Sequence, residues 1–122
     1  MKLTIHLTPV PKGRHRTYRN VEYTPKKTKQ FEKAARFCML GHEPMRGALV
    51  LSATFKIKRP KGCRRKYPNV RPDNSNFLKA IEDAGNGLLW LDDGQICCFR
   101  EVWKVYCEPG EEPCIELEVT EL

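Results

Sequence analysis

The chain has 122 residues, 40% of them hydrophobic, and 22 Lys/Arg against 15 Asp/Glu give a formal charge of +7. That length supports one ordinary hydrophobic core but not two comfortable ones. Neither end carries an apolar run long enough for a membrane span or a secretory leader. A soluble, intracellular protein with a single domain over residues 1–122 is expected, and membrane-spanning and secreted classes are excluded.

The opening Leu3-Thr4-Ile5-His6-Leu7 alternates like a half-buried strand. A Pro-rich basic segment over residues 9–23 then breaks regular structure and reads as a cationic loop. Thr24-Pro25 resembles a helix cap with proline at the first helical position. Phe31, Ala34, Ala35, Cys38 and Met39 follow at helical spacing up to Gly41. Period two replaces this between residues 48 and 58, with Leu49, Leu51, Ala53, Phe55 and Ile57 on one face. In residues 59–71, Pro60, Gly62 and Pro68 oppose both helix and sheet, so a mobile basic loop is expected.

A second helix should begin near residues 74–76, capped by their short polar side chains, and run to about Gly87. Phe77, Ile81, Ala84 and Leu88 mark its apolar stripe. After a turn over residues 90–94, residues 95–106 and 114–121 read as strands joined by an acidic loop. The predicted class is α+β, with about four strands in a mixed sheet, two main helices and the order β-α-β-α-β-β. Val102, Trp103 and Val105 fit either the core or a surface shared between subunits.

Charge is divided along the chain. Residues 1–71 hold 19 Lys/Arg against 3 Asp/Glu, and residues 72–122 hold 3 against 12. Clustered cations at Lys56, Lys58, Arg59, Lys61, Arg64, Arg65, Lys66 and Arg71, with Lys12, Arg14, Arg16 and Arg19 upstream, repel one another unless counter-charges meet them. Nucleic-acid phosphates supply such counter-charge at regular spacing. The competing reading is a solvated surface. Tyr18, Tyr23 and Tyr67, each near arginines, also allow an RNA-binding protein that stacks bases.

Cys38, Cys63, Cys97, Cys98, Cys107 and Cys114 contain no C-x-x-C pair. Without a secretory leader they read as free thiols serving as small buried hydrophobes, not as bridges or zinc ligands. His6, His15 and His42 earn no catalytic assignment.

Magnesium takes oxygen ligands, so carboxylates converging from separate elements suit it. Asp73, just before a helix, and Asp93, in a turn beyond it, meet that description. Taken alone, Asp92-Asp93-Gly94 is equally an ordinary turn and Asp73-Asn74 an ordinary helix entry. Lys79 either offers positive charge to a transition state or pairs with Asp83 four residues on, and spacing favours the pair.

The run Arg71-Pro72-Asp73-x-x-Asn76-x-x-Lys79-x-x-x-Asp83-Ala84, then Asn86-Gly87 and Trp90-Leu91-Asp92-Asp93-x-Gln95, resembles the RusA family of Holliday-junction resolvases. The resemblance implies a magnesium-dependent endodeoxyribonuclease, with Mn²⁺ as a substitute, that acts as a homodimer on four-way or branched DNA. It also implies a bacterial cytoplasmic setting, with phage or prophage origin included, and a role in recombination and repair.

By motif position Asp73, Lys79 and Asp93 would be catalytic, and Asp73 and Asp93 metal-binding. Asp92, Asp83 and Ser75 are second-tier metal candidates, and Asn76 joins the DNA-binding set. This chain departs from the family pattern Asp-x-Asp-Asn, because Ser75 stands where the second carboxylate belongs. A hydroxyl offers a lone pair but no negative charge. A rearranged active centre, a slower enzyme or a branched-DNA binder without cleavage are therefore the three outcomes to separate.

Overall fold

A computed structural model describes residues 1–13, 16–19, 21–23 and 25–122, for residues 16–18 and 21–23 as backbone only. Its elements in chain order are β1 (Lys2–Ile5), β2 (Arg16–Tyr18), β3 (Val21–Tyr23), α1 (Lys26–Cys38), β4 (Leu49–Ile57), α2 (Asn74–Ala84), a 3-10 turn (Asp93–Gln95), β5 (Ile96–Tyr106) and β6 (Cys114–Glu121). Arg14, Thr24 and the side chains of Arg16, Tyr18 and Tyr23 lie outside the described residues.

The main sheet has the order β1-β6-β4-β5. β4 and β5 run parallel, as the intervening α2 permits. β6 lies antiparallel to both β4 and β1. The α+β class with a mixed four-stranded sheet and two helices is present as expected.

Alternation explains the layers. Leu49, Leu51, Ala53 and Phe55 of β4 and Ile115, Leu117 and Val119 of β6 are buried with Phe31, Ala35 and Met39 of α1 and Phe77, Ala80, Ile81 and Ala84 of α2. Phe55 and Phe77 stack at 5.3 Å between ring centroids, which fixes α2 against the sheet. Glu116 and Glu118 alternate with the buried positions of β6 and face solvent.

Several expectations need correction. The Pro-rich basic segment is not all loop, since β2 and β3 form a short antiparallel hairpin. Arg19 turns that hairpin at φ 51. Pro25 occupies the N-cap of α1, one residue before the first helical position. α2 starts at Asn74, but neither Asp73 nor a neighbouring asparagine caps it through a side chain. Asn74 instead donates from Nδ2 to the Val102 carbonyl at 3.0 Å. The helix ends at Ala84 with Gly85 as C-cap, short of Gly87, whose φ of 79 is left-handed and suits glycine.

All six cysteines are free, but only Cys107 and Cys114 are buried, and Cys97 and Cys98 are exposed. Trp103 is 47% exposed and so is not a core residue. No helix among the described residues is long and apolar enough to cross a membrane.

Candidate active site

The site forms where α2 meets the turn that follows it. Trp90 is fully buried and anchors that turn. Its Nε1 donates to Asn86 Oδ1 at 3.0 Å and to the Glu82 carbonyl at 3.3 Å. A Cβ added to Gly85 would lie 2.5 Å from Trp90 Cζ2, so a residue without a side chain lets the indole approach the helix end. From α1, Arg36 donates to the carbonyls of Ala84 at 2.9 Å and Asn86 at 2.7 Å. This satisfies orphan acceptors at the end of α2 and locates Asn86.

Asn86 in turn donates from Nδ2 to Asp93 Oδ1 at 3.4 Å. The other oxygen of Asp93 lies 3.5 Å from Lys79 Nζ. Lys79 also pairs with Asp83 at 3.3 Å, the i,i+4 contact that spacing favours. Asp83 meets a second cation, because Lys12 approaches it at 3.0 Å while lying 3.9 Å from Glu32. The backbone N–H of Lys12 donates to the Asn76 carbonyl at 2.9 Å, docking the cationic N-terminal segment on α2.

Burial alone would lower the Lys79 ammonium, but the hydrogen bond to Asp83 and the charges of Asp83 and Asp93 outweigh it. Its pKa is raised above the ordinary lysine value. Glu82 moves upward chiefly through burial, which the Lys79 charge partly offsets.

Asp73 stands apart from this ionic network. Its backbone carbonyl accepts from Asn76 at 3.0 Å and Phe77 at 3.4 Å, while its exposed carboxylate has no hydrogen bond or ion pair among the described residues. Asn74 Oδ1 is buried without a partner among them. Ser75 and Asn76 are exposed at the same end of the helix.

Asp92 is structural in this arrangement. Its Oδ2 accepts from the Gly94 N–H at 2.8 Å, and Gln95 Oε1 accepts in return from Asp92 N–H at 2.9 Å. Gln95 Nε2 bonds the carbonyls of Met45 and Gly47 at 3.0 Å each, tying the turn to the segment before β4. The capping box therefore sets where Asp93 begins its short turn.

The side chains at this end of the molecule offer oxygen donors of the kind a hard divalent cation takes. Asp83 and Asp93 already share one positive partner, and Asp73, Ser75 and Asn74 add oxygen donors at the start of α2. Among the described residues no three His, Cys, Asp or Glu side chains converge to hold an ion by themselves. An ion held there by so few protein oxygens would need waters and substrate phosphate oxygens to complete its coordination.

The basic loop between β4 and α2 runs beside β5. Tyr106 N–H donates to the Lys66 carbonyl at 3.0 Å. Lys104 Nζ donates to the carbonyls of Val70 and Pro72 at 2.7 Å each. With the Asn74 bond to Val102, these contacts lead the chain down β5 to Asp73.

Lys58, Lys61, Arg64, Arg65, Lys66 and Arg71 are exposed. Arg59 differs from these exposed loop cations, because its guanidinium bonds the carbonyls of Cys107 and Cys63 at 3.1 Å each and that of Arg65. It also lies 5.5 Å from the Tyr106 ring centroid. Its contacts organise the loop. Arg36 was not among the candidates read from sequence, and Asn86 carried no assigned role there; only its place in the quoted motif marked it.

The sequence matches the family described as endodeoxyribonuclease RusA over residues 6–120. It is also similar to YqaN, an uncharacterized protein of Bacillus subtilis strain 168. The two are 29% identical over an alignment of 143 positions that covers 100% of this chain and 96% of YqaN.

Proposed function

This chain belongs to the RusA endodeoxyribonuclease family, and from that premise we propose that it cuts four-way and other branched DNA by magnesium-dependent phosphodiester hydrolysis. The observation that carries the reading is the Asp73 carboxylate, unpartnered among the described residues, at the head of the helix on which Lys79 joins Asp83 and Asp93. Asp73 and Asp93 would hold the ion, with Asp83 and Ser75 supporting. Bound magnesium supplies Lewis-acid polarisation of the phosphate and lowers the pKa of an attacking water.

The protein residues do the rest. Exposed lysines and arginines of the loop hold the backbone by charge, with little sequence information. Asn86 orients Asp93. Lys79, kept protonated by its carboxylates, presents a fixed positive charge where negative charge develops. A homodimer would offer one site to each of two symmetry-related strands. The outer part of β5 supports this surface, since residues 97–101 are consecutively exposed on an edge strand.

Asp73→Asn and Asp93→Asn should each lower nicking of an immobile four-way substrate in Mg²⁺ by roughly 100-fold or more, the scale of losing a group that stabilises transition-state charge. Binding measured in EDTA should persist. Unchanged cleavage in both variants would remove these residues from the mechanism.

A second reading, a branched-DNA binder without cleavage, is favoured by Ser75 and by the absence of three converging ligands among the described residues. It predicts affinity with no incision in Mg²⁺ or Mn²⁺. Gain of cutting in Ser75→Asp would identify a lost ligand.

A further inference from the structure

Tyr67 and Trp103 lie 5.8 Å apart between ring centroids, with planes 27° apart, and are 48% and 47% exposed. Lys66 Nζ is 5.5 Å from the Tyr67 centroid. Arg64, Arg65 and Lys61 are exposed on the same loop. Trp103 is in register with Thr54 of β4 and so projects from the sheet face away from the helices. Among the described residues no other ring stacks on it.

Two large aromatics left half in water are costly for a core and useful for a ligand with a flat apolar face. The surrounding charge selects the ligand class, since a flat ring carried on a polyanion is a nucleobase. The hydrogen bonds from Tyr106, Lys104 and Asn74 hold this loop along β5, so the ring pair and Asp73 occupy one edge of the sheet.

We propose that Trp103, backed by Tyr67, is a stacking platform for one unpaired DNA base at a branch point, while the neighbouring cations grip the strand that carries it. This inference rests on the nuclease reading and adds a determinant of substrate choice. Stacking discriminates by exposure of a base and not by its identity, because every base has a π-face. Paired duplex offers no such face, and a strand departing from a branch does.

The test uses tryptophan emission of the full chain in EDTA, titrated with an immobile four-way junction bearing one unpaired base at the branch, the fully paired junction and linear duplex. Buried Trp90 supplies a constant background. Emission should be quenched most by the unpaired-base junction. Trp103→Leu should remove that quench and weaken this ligand roughly tenfold, leaving duplex affinity unchanged. Trp103→Phe should recover most of the affinity, since a ring face remains.

Equal quenching by linear duplex would overturn the proposal, as would equal weakening of all three ligands in Trp103→Leu, which would reduce the ring pair to a fastener for the loop. A 2-aminopurine placed as the unpaired base provides a readout on the unaltered protein, and its emission should fall on binding. Nicking of junctions without either quench would overturn the platform alone. Failure to bind any branched DNA, or preference for single-stranded RNA in competition, would overturn the nuclease reading with it.

Discussion

Lys79 illustrates how one side chain can be limited to one chemical role. An ammonium raised above its ordinary value by Asp83 and Asp93 favours its protonated form, which suits the proposed role of a cation and not that of a general base. Lys79→Arg should keep partial activity, and Lys79→Met should lose most of it. A pH–rate profile in which the Met variant alone lost a basic limb near neutrality would contradict this role.

Glu82 is shifted in the same direction, but there it is the neutral form that gains. Its folded-state pKa is raised, so the charged form is disfavoured by folding and the folded state binds the proton more tightly. The stabilising effect of protonation is complete below the unfolded value and disappears as pH rises through the folded one. Glu82→Gln should raise Tm at pH 7 and have little effect at pH 3, as thermal melts at the two values would show.

Among the elements, α2 is positioned from both ends, by Asn74 on β5 at its start and by Arg36 of α1 at its finish. Arg36→Ala should cost about 1–3 kcal/mol, the range for leaving buried carbonyls unpaired, and should reduce cleavage by shifting Asn86 and hence Asp93. Denaturant melts paired with nicking rates would separate the two effects.

Period-two apolarity announced β4, and Phe77, Ile81 and Ala84 announced the buried stripe of α2, because core burial leaves a repeating trace in one chain segment. The β2–β3 hairpin left none, since strands of three residues in a Pro-rich basic stretch are too short to show a period. Nor did the pairing of Lys12 with Asp83, which depends on how the N-terminal segment crosses α2. The motif named the carboxylates as candidates, but not that Asp92 Oδ2 would accept from the Gly94 N–H and cap the turn. Position in a motif does not reveal whether a lone pair is already engaged.

At the scale of the whole molecule, the fold gathers six exposed cations on the loop from Lys58 to Arg71, which runs along β5 to Asp73. If all six meet phosphates, DNA affinity should fall roughly 10³-fold between 50 and 200 mM salt. Neutralising Arg64 should flatten the logarithmic salt slope by about 0.9, whereas replacing Arg59 should disturb the loop and affect stability as well. Titrations at four or more salt concentrations would distinguish these behaviours. Light scattering of the free protein at micromolar concentration should give twice the 14.2 kDa chain mass if the proposed dimer forms.

The gap between Gly85 and the Trp90 ring works as a spacer gauge for the reaction centre. A single methyl there, far too small to touch DNA, would wedge the indole outward, drag Asn86 with it and misalign Asp93, yet the loop cations fastened along β5 would keep their places. Gly85→Ala should thus yield a protein that still captures its target but cuts it slowly, a separation that parallel gel-shift and nicking assays would register.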